Sequence, residues 1–252
     1  MTKTSAYLNL IRFYNPIGFW LLLWPGLWGL FLSNNFNIEN FTIVVLGSFL
    51  TRSLGCAIND FLDRDFDKNV ERTKNRPIAS KNLSLTEAGI FIVILASICV
   101  FLLMQTNPYT IKLVCYVAIP MIVVYPLMKR FLAMPQLFLG ATFGLSLPIS
   151  YSIAESSINL EVIFLYLGCI FWIIAYDTYY ALCDIEDDRK LNLNSSAIFF
   201  GNDTQKAIIL FSLLFLGVVM LFALKNSSFL LGVGAVFLIY QIYFQNKLSN
   251  WN

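Results

Sequence analysis

Two short stretches hold most of the oxygen donors of this chain. "NDFLDRDFDKNVERTKNRP" (59–77) carries Asn59, Asp60, Asp63, Asp65 and Asp67; "YDTYYALCDIEDDRK" (176–190) carries Asp177, Asp184, Glu186, Asp187 and Asp188. Asn59, Asp63 and Asp67 are spaced i, i+4, i+8, which on a helix puts three oxygen-bearing side chains on one slowly drifting face. Asp177, Asp184 and Asp188 share a face by the same rule, at intervals of seven and four. Like charges four apart repel, so either set needs a cation or several basic neighbours. The chain has no histidine, which excludes His-based acid–base chemistry and His-ligated metals. A metal here takes oxygen ligands, which favours a hard cation such as Mg²⁺. Mg²⁺ usually binds one or two carboxylates and completes its shell with water and substrate phosphates. Clustered Asp with Lys and Arg close by therefore points to a diphosphate-bearing substrate, with metal and cations stabilising charge on a departing diphosphate. The expectation is that the two clusters face one another across a cavity. The plain alternative is a solvated interfacial loop with local Asp–Arg pairs.

The elements that carry these motifs are membrane helices. The chain has 252 residues, 58% of them hydrophobic and only 13% charged, with a mean hydropathy of +0.70. Soluble domains run at roughly 45–50% apolar, and too little polar sequence remains here to cover a soluble core. Apolar runs long enough to span a bilayer predict eight spans, at 13–32, 41–58, 85–104, 109–128, 135–153, 160–183, 206–224 and 228–245. The first lacks a small-residue cleavage site and is expected to be a retained span. Asp177 falls well inside an apolar run, where an acid is costly and marks a functional site. The five cysteines lie in or beside apolar runs with no CxxC pair and are expected to be small buried hydrophobes.

Charge alternates between the loops. The loop after the second span has Arg64, Lys68, Arg72, Lys74, Arg76 and Lys81, and the next one on that side has Lys129 and Arg130; the loops 33–40, 105–108 and 154–159 have none. With Arg52 in the same half, 15 of the 17 basic residues fall on one side, so the positive-inside rule puts both termini and both charged loops in the cytoplasm. The long acidic loops follow the second and sixth spans, which predicts two pseudo-repeated four-helix halves, about 1–130 and 131–252, around a central cavity.

These residues carry a resemblance. "NDFLDRDFD" followed by "KNRP" resembles the first motif of the UbiA superfamily of membrane prenyltransferases, and "YDTYYALCDIEDD" resembles its second. "PIGFWLLLWPGLW" (16–28), "GCAIND" (55–60), "YPLMKR" (125–130) and "PQLFLG" (135–140) bring the chain closest to the 4-hydroxybenzoate polyprenyltransferase branch. The resemblance implies an all-α integral membrane fold and Mg²⁺-dependent transfer of a polyprenyl group from its diphosphate to 4-hydroxybenzoate. The bond would form at the ring carbon ortho to the hydroxyl, in ubiquinone biosynthesis. It implies that Asn59, Asp63, Asp67, Asp184 and Asp188 are metal–diphosphate ligands, the four aspartates being the catalytic set. It also implies that Lys129 and Arg130 grip diphosphate, and it matches Arg64 and Arg12 to family arginines near the site. Arg12 is the expected partner of the acceptor carboxylate, because a planar guanidinium suits one. Asp177 joins the substrate-binding set by its depth.

The chain departs from the family in three places: "LNLNSSA" (191–197) replaces a stretch with glycine and lysine, Tyr14-Asn15 replaces Asp-Lys, and eight spans are counted where many members have nine. The same chemistry on another aromatic acceptor, or a cation transporter with midplane acids, are the competing readings. The expected partners are a polyprenyl diphosphate, 4-hydroxybenzoate and the lipid bilayer of an inner membrane; no nucleic-acid partner is expected.

Overall fold

The structure, a computed structural model, describes residues 2–68, 70, 73–190, 193–225 and 239–240. Among them every regular element is helical: α1 Lys3–Leu10, α2 Ile17–Leu32, α3 Ile38–Leu62, α4 Arg64–Asp67, α5 Leu85–Met104, α6 Pro108–Leu113, α7 Ile119–Phe131, α8 Pro135–Gly144, α9 Ser146–Glu155, α10 Leu160–Ala181, α11 Ile185–Lys190, α12 Ser196–Phe200 and α13 Thr204–Lys225. Six continuous helical stretches are long and apolar enough to cross a membrane. Their surfaces fit a lipid solvent: on α5 the large apolar side chains Ile90, Val93, Ile94, Ile98 and Phe101 are all exposed.

Local chemistry sets the helix ends. Ser84 and Glu87 form a capping box at the start of α5, with Ser84 Oγ accepting from the Glu87 amide at 3.2 Å and Glu87 Oε2 from the Ser84 amide at 2.8 Å. Asn37 and Asn159 cap α3 and α10 through their side-chain oxygens. Between α6 and α7 the helix widens into one π-helical stretch, Val114–Ala118, immediately before Pro120, whose missing N–H loosens the ladder there. The first span is shorter than expected. The Arg12–Pro16 turn delays α2 until Ile17, leaving 16 helical residues. The fifth is two abutting helices, α8 and α9, and the seventh reaches back to Ser196. The eighth, at 228–245, lies almost wholly outside the described residues. Of the cysteines, only Cys56 and Cys169 are buried; Cys115 and Cys183 are exposed, since apolar sequence in a bilayer need not be buried in protein.

The chain divides into two compact units. The first comprises Met1–Ile111 with Ser150–Ser156. Here α1 packs Ala6 and Leu10 against Ala57 of α3, Ile78 and Leu83 of the following loop and Ala88 and Leu95 of α5. Lys3 Nζ bonds both oxygens of Glu87 at 2.6 and 2.7 Å. The second unit comprises Lys112–Ile149 with Ser157–Asn252. Its centre is α10, which packs against α8 and α13. A β-carbon at Gly168 of α10 would stand 2.8 Å from Val218 Cγ1 of α13, so the two helices meet at a contact that only glycine permits.

Gly168→Ala is therefore expected to cost about 1–3 kcal/mol through overpacking, read as a lower Tm in detergent, and Val218→Ala in the same chain is expected to restore part of the loss.

Candidate active site

In the first motif the backbone is not one continuous helix. α3 ends at Leu62; Asp63 is its C-cap, its amide donating to the Asn59 carbonyl at 2.9 Å, and α4 begins at Arg64. The i, i+4, i+8 face expected through Asp67 is thus interrupted. Asp competes for backbone hydrogen bonds and favours caps over helix interiors. Asp67 is buried, and its two carboxylate oxygens accept from Arg76 Nη1 at 3.1 and 2.9 Å. Asn59 is half-buried and Asp63 exposed. Arg64, at the start of α4, folds back onto the end of α3, donating to the Phe61 carbonyl at 2.7 Å with its guanidinium over the Phe61 ring. Exposed Asp65 pairs with Lys68 at 2.7 Å, and the hydrogen bond and charge of that lysine hold its carboxyl below the usual range.

The residue that organises this corner is Asp60, one position off the predicted face. It is 1% exposed. Arg12 clamps it with two bonds, Nη2 to Oδ1 at 2.6 Å and Nη1 to Oδ2 at 3.1 Å, and Arg76 Nη1 approaches Oδ1 at 3.3 Å. Two carboxylates and two guanidiniums thus form a neutral cluster that ties the α1–α2 turn, the end of α3, α4 and the loop at Arg76. Arg12 adopts a left-handed backbone, φ 59°, which costs a non-glycine residue on the order of 1 kcal/mol and which the paired ion contact offsets. Burial pulls the Arg12 guanidinium down, but the hydrogen bond and charge of Asp60 outweigh it and hold its pKa above the ordinary value. Arg12 was expected to meet an acceptor carboxylate; the carboxylate it meets is the chain's own. Asp60 and Arg76 were not in the predicted site. The signal was an acid turned from its neighbours' face at the end of an apolar helix, which needs a cation, and "KNRP" supplies one.

A cavity of about 320 Å³ opens beside this cluster, with Arg12, Phe19, Trp20, Phe49, Arg52 and Ser53 among its walls. Arg52 serves in the sequence only as a topology marker. On α3 it stands two turns before Asn59, on the same face.

The second motif also breaks its helix. α10 closes at Ala181, a 3₁₀ turn runs over Leu182–Asp184, and α11 follows, so Asp177, Asp184 and Asp188 do not share one α-helical face. Asp177 and Asp184 are half-buried and Asp188 is buried. The chain after the motif is pinned beside Asp177: Ser196 Oγ donates to Thr178 Oγ1 at 2.8 Å, and the Ser196 amide donates to Gln136 Oε1 at 2.8 Å. Lys129 and Arg130 stand in the last turn of α7; their side chains are outside the described ones. Among the described residues no three His, Cys, Asp or Glu side chains group closely enough to hold a cation by themselves. The donors in both motifs are carboxylate and amide oxygens alone, a set that suits Mg²⁺ sharing its shell with a phosphate.

The helical membrane fold thus carries two aspartate motifs, an arginine–aspartate cluster and an aromatic-walled cavity lined by Arg12 and Arg52. Residues 22–251 match the UbiA prenyltransferase family, and the chain belongs to it. A 4-hydroxybenzoate octaprenyltransferase of Polynucleobacter asymbioticus is 44% identical over 95% of this chain and 86% of its own length. The same-named protein of Actinobacillus pleuropneumoniae is 40% identical over 87% of this chain and 75% of its own. Among solved structures, a UbiA homolog from Archaeoglobus fulgidus bound to GPP and Mg²⁺ superposes with a TM-score of 0.76 at 19% identity, covering 97% of this chain and 88% of that one.

Asp60→Ala is expected to leave the half-buried Arg12 without its carboxylate and Arg76 with Asp67 alone, and to cost about 3 kcal/mol, the low end for breaking a buried pair, seen as a drop in Tm in detergent. Arg12→Met together with Asp60→Leu is expected to recover much of it.

Proposed function

We propose that this protein transfers a polyprenyl group from polyprenyl diphosphate to the ring carbon of 4-hydroxybenzoate ortho to its hydroxyl. One observation carries the reading. Arg52, in an aromatic-walled cavity, and Asn59, in the aspartate motif, share one face of α3 two turns apart. That is roughly 10 Å along the axis, a separation that suits an acceptor anion at one end and a diphosphate at the other. The names of the relatives agree with this acceptor.

The donor's C1–O bond breaks, the diphosphate keeps the electron pair, and an allylic cation remains. Phe19, Trp20 and Phe49 exclude water and present aromatic faces to that cation. Arg52 holds the acceptor carboxylate, and no side chain caps the first turn of neighbouring α2, whose amides favour an anion as well. The activated ring carbon then bonds to C1. The ring proton leaves to a carboxylate or to the released diphosphate, since the chain has no histidine. Asn59, Asp63 and Asp67 in one motif and Asp184 and Asp188 in the other are the residues that would hold Mg²⁺. When bound there, the metal supplies charge neutralisation to the departing diphosphate. Arg76 keeps Asp67 in place, Lys129, Arg130 and Arg64 attract diphosphate, and Asp177 completes the substrate-binding set. The enzyme sits in an inner membrane with its motifs and both termini on the cytoplasmic side, a topology that the basic loops support.

Kinetics on purified variants test the assignment. Asp63→Ala and Asp184→Ala are expected to lower Mg²⁺-dependent turnover by at least about a hundredfold, the scale of losing a charge-stabilising group, in protein that still inserts. Arg52→Ala is expected to raise KM for 4-hydroxybenzoate by about tenfold or more, the scale of a charge-assisted hydrogen bond, and to leave KM for the prenyl diphosphate near its original value. Unchanged turnover in both aspartate variants would remove the motifs from the reaction.

A further inference from the structure

Gly18 is the second residue of α2 and is buried. A β-carbon built on it would lie 2.2 Å from Arg52 Nε, 2.5 Å from Cζ and 2.6 Å from Nη2. The guanidinium of α3 thus occupies the space that every other residue type would fill with its first side-chain atom. Its neighbours in sequence, Pro16, Phe19 and Trp20, line the cavity that Arg52 lines. We infer that Gly18 is a positioning residue for the acceptor: the hydrogen in place of a side chain makes the seat in which Arg52 is held against α2, and so fixes where an aromatic carboxylate docks. The inference rests on the reading that Arg52 holds that carboxylate.

Two features separate this role from ordinary close packing of helices. The atoms that would collide are the far end of a long, flexible side chain, not backbone, as they are at Gly140, where the nearest atom is the Ile170 carbonyl oxygen. An added methyl at position 18 therefore displaces the guanidinium and leaves α2 and α3 where they are. The seat also lies at the N-terminal turn of α2, which carries the positive end of the helix dipole and has no side-chain cap. A carboxylate placed there meets the guanidinium and the open turn together, which gives the arrangement a use in binding an anion that helix packing does not have.

A double-mutant cycle in detergent or lipid nanodiscs tests it, with Tm, KM for 4-hydroxybenzoate and KM for the prenyl diphosphate measured in each variant. Gly18→Ala is expected to raise KM for 4-hydroxybenzoate about tenfold, with Tm no lower and KM for the prenyl diphosphate within about twofold. This is the split that displacing a charge-assisted contact from one substrate produces. Arg52→Ala is expected to raise the acceptor KM comparably, and adding Gly18→Ala to it to change nothing more, because the atom to be displaced is gone. A further rise in the Arg52→Ala background, or an equal loss for both substrates with a lower Tm, would make Gly18 a packing residue and overturn the inference while leaving the Arg52 reading standing. If Gly18→Ala alone does not fold, the double variant is expected to fold; its failure overturns the inference too. An unchanged acceptor KM in Arg52→Ala overturns the reading and the inference with it.

Discussion

A carboxylate at the end of a membrane helix, shut away from water, has to keep a cation beside it. Asp60 meets that constraint with two guanidiniums, and the first acidic motif takes its shape from the solution. Arg12 arrives from the turn before α2, Arg76 from the loop after α4, and Arg76 passes the same nitrogen on to Asp67. One buried charge thereby ties the turn before α2 and the loop at Arg76 to the end of α3, and the shared guanidinium carries the contact on to a motif aspartate. The cluster is neutral as a whole, which lets it sit against the apolar core formed by Ala6, Leu10, Ala57 and Leu83.

The same economy appears in the other unit by different means. There the chain beyond the second motif is held by uncharged partners, Ser196 between Thr178 and Gln136, all three nearly fully buried. Hydrogen bonds between neutral groups cost less to bury than ion pairs, and Thr178 is the direct neighbour of Asp177. Each motif is therefore braced by side chains outside the metal-ligand pattern, as sites built on helices need if their ligands are to hold geometry.

Much of this is legible in the sequence. Apolar runs of membrane-spanning length located seven of the helices, since a bilayer imposes length and hydropathy directly on sequence. The acidic motifs stood out because charge is scarce here. What escaped was tertiary. Spacing alone made Asn59, Asp63 and Asp67 one helical face, yet no proline or glycine marks the break at Asp63, and the pull of Arg76 on Asp67 is invisible in a linear pattern. Asp60 is among the oxygen donors of the first motif but stands off the i, i+4, i+8 face, so the spacing leaves it out of the expected ligand set. Arg12 was matched to an external carboxylate when an internal one lay 48 positions away. In a linear pattern Arg52 is only a topology marker, because its place against α2 is tertiary, and Gly18 gains its meaning only from the guanidinium beside it.

The proposed chemistry of this fold is carbon–carbon bond formation between an allylic diphosphate and a phenolic acid. The most direct measurement is product identification. Purified protein in nanodiscs is incubated with 4-hydroxybenzoate and polyprenyl diphosphates of several lengths, with and without Mg²⁺, and the product is characterised by mass and NMR. The expected product has prenyl C1 bonded to the ring carbon ortho to the hydroxyl, with one diphosphate released per product and none formed without a divalent cation. Alkylation on the phenolic oxygen, or no C-prenylated acid from any donor length, would contradict it.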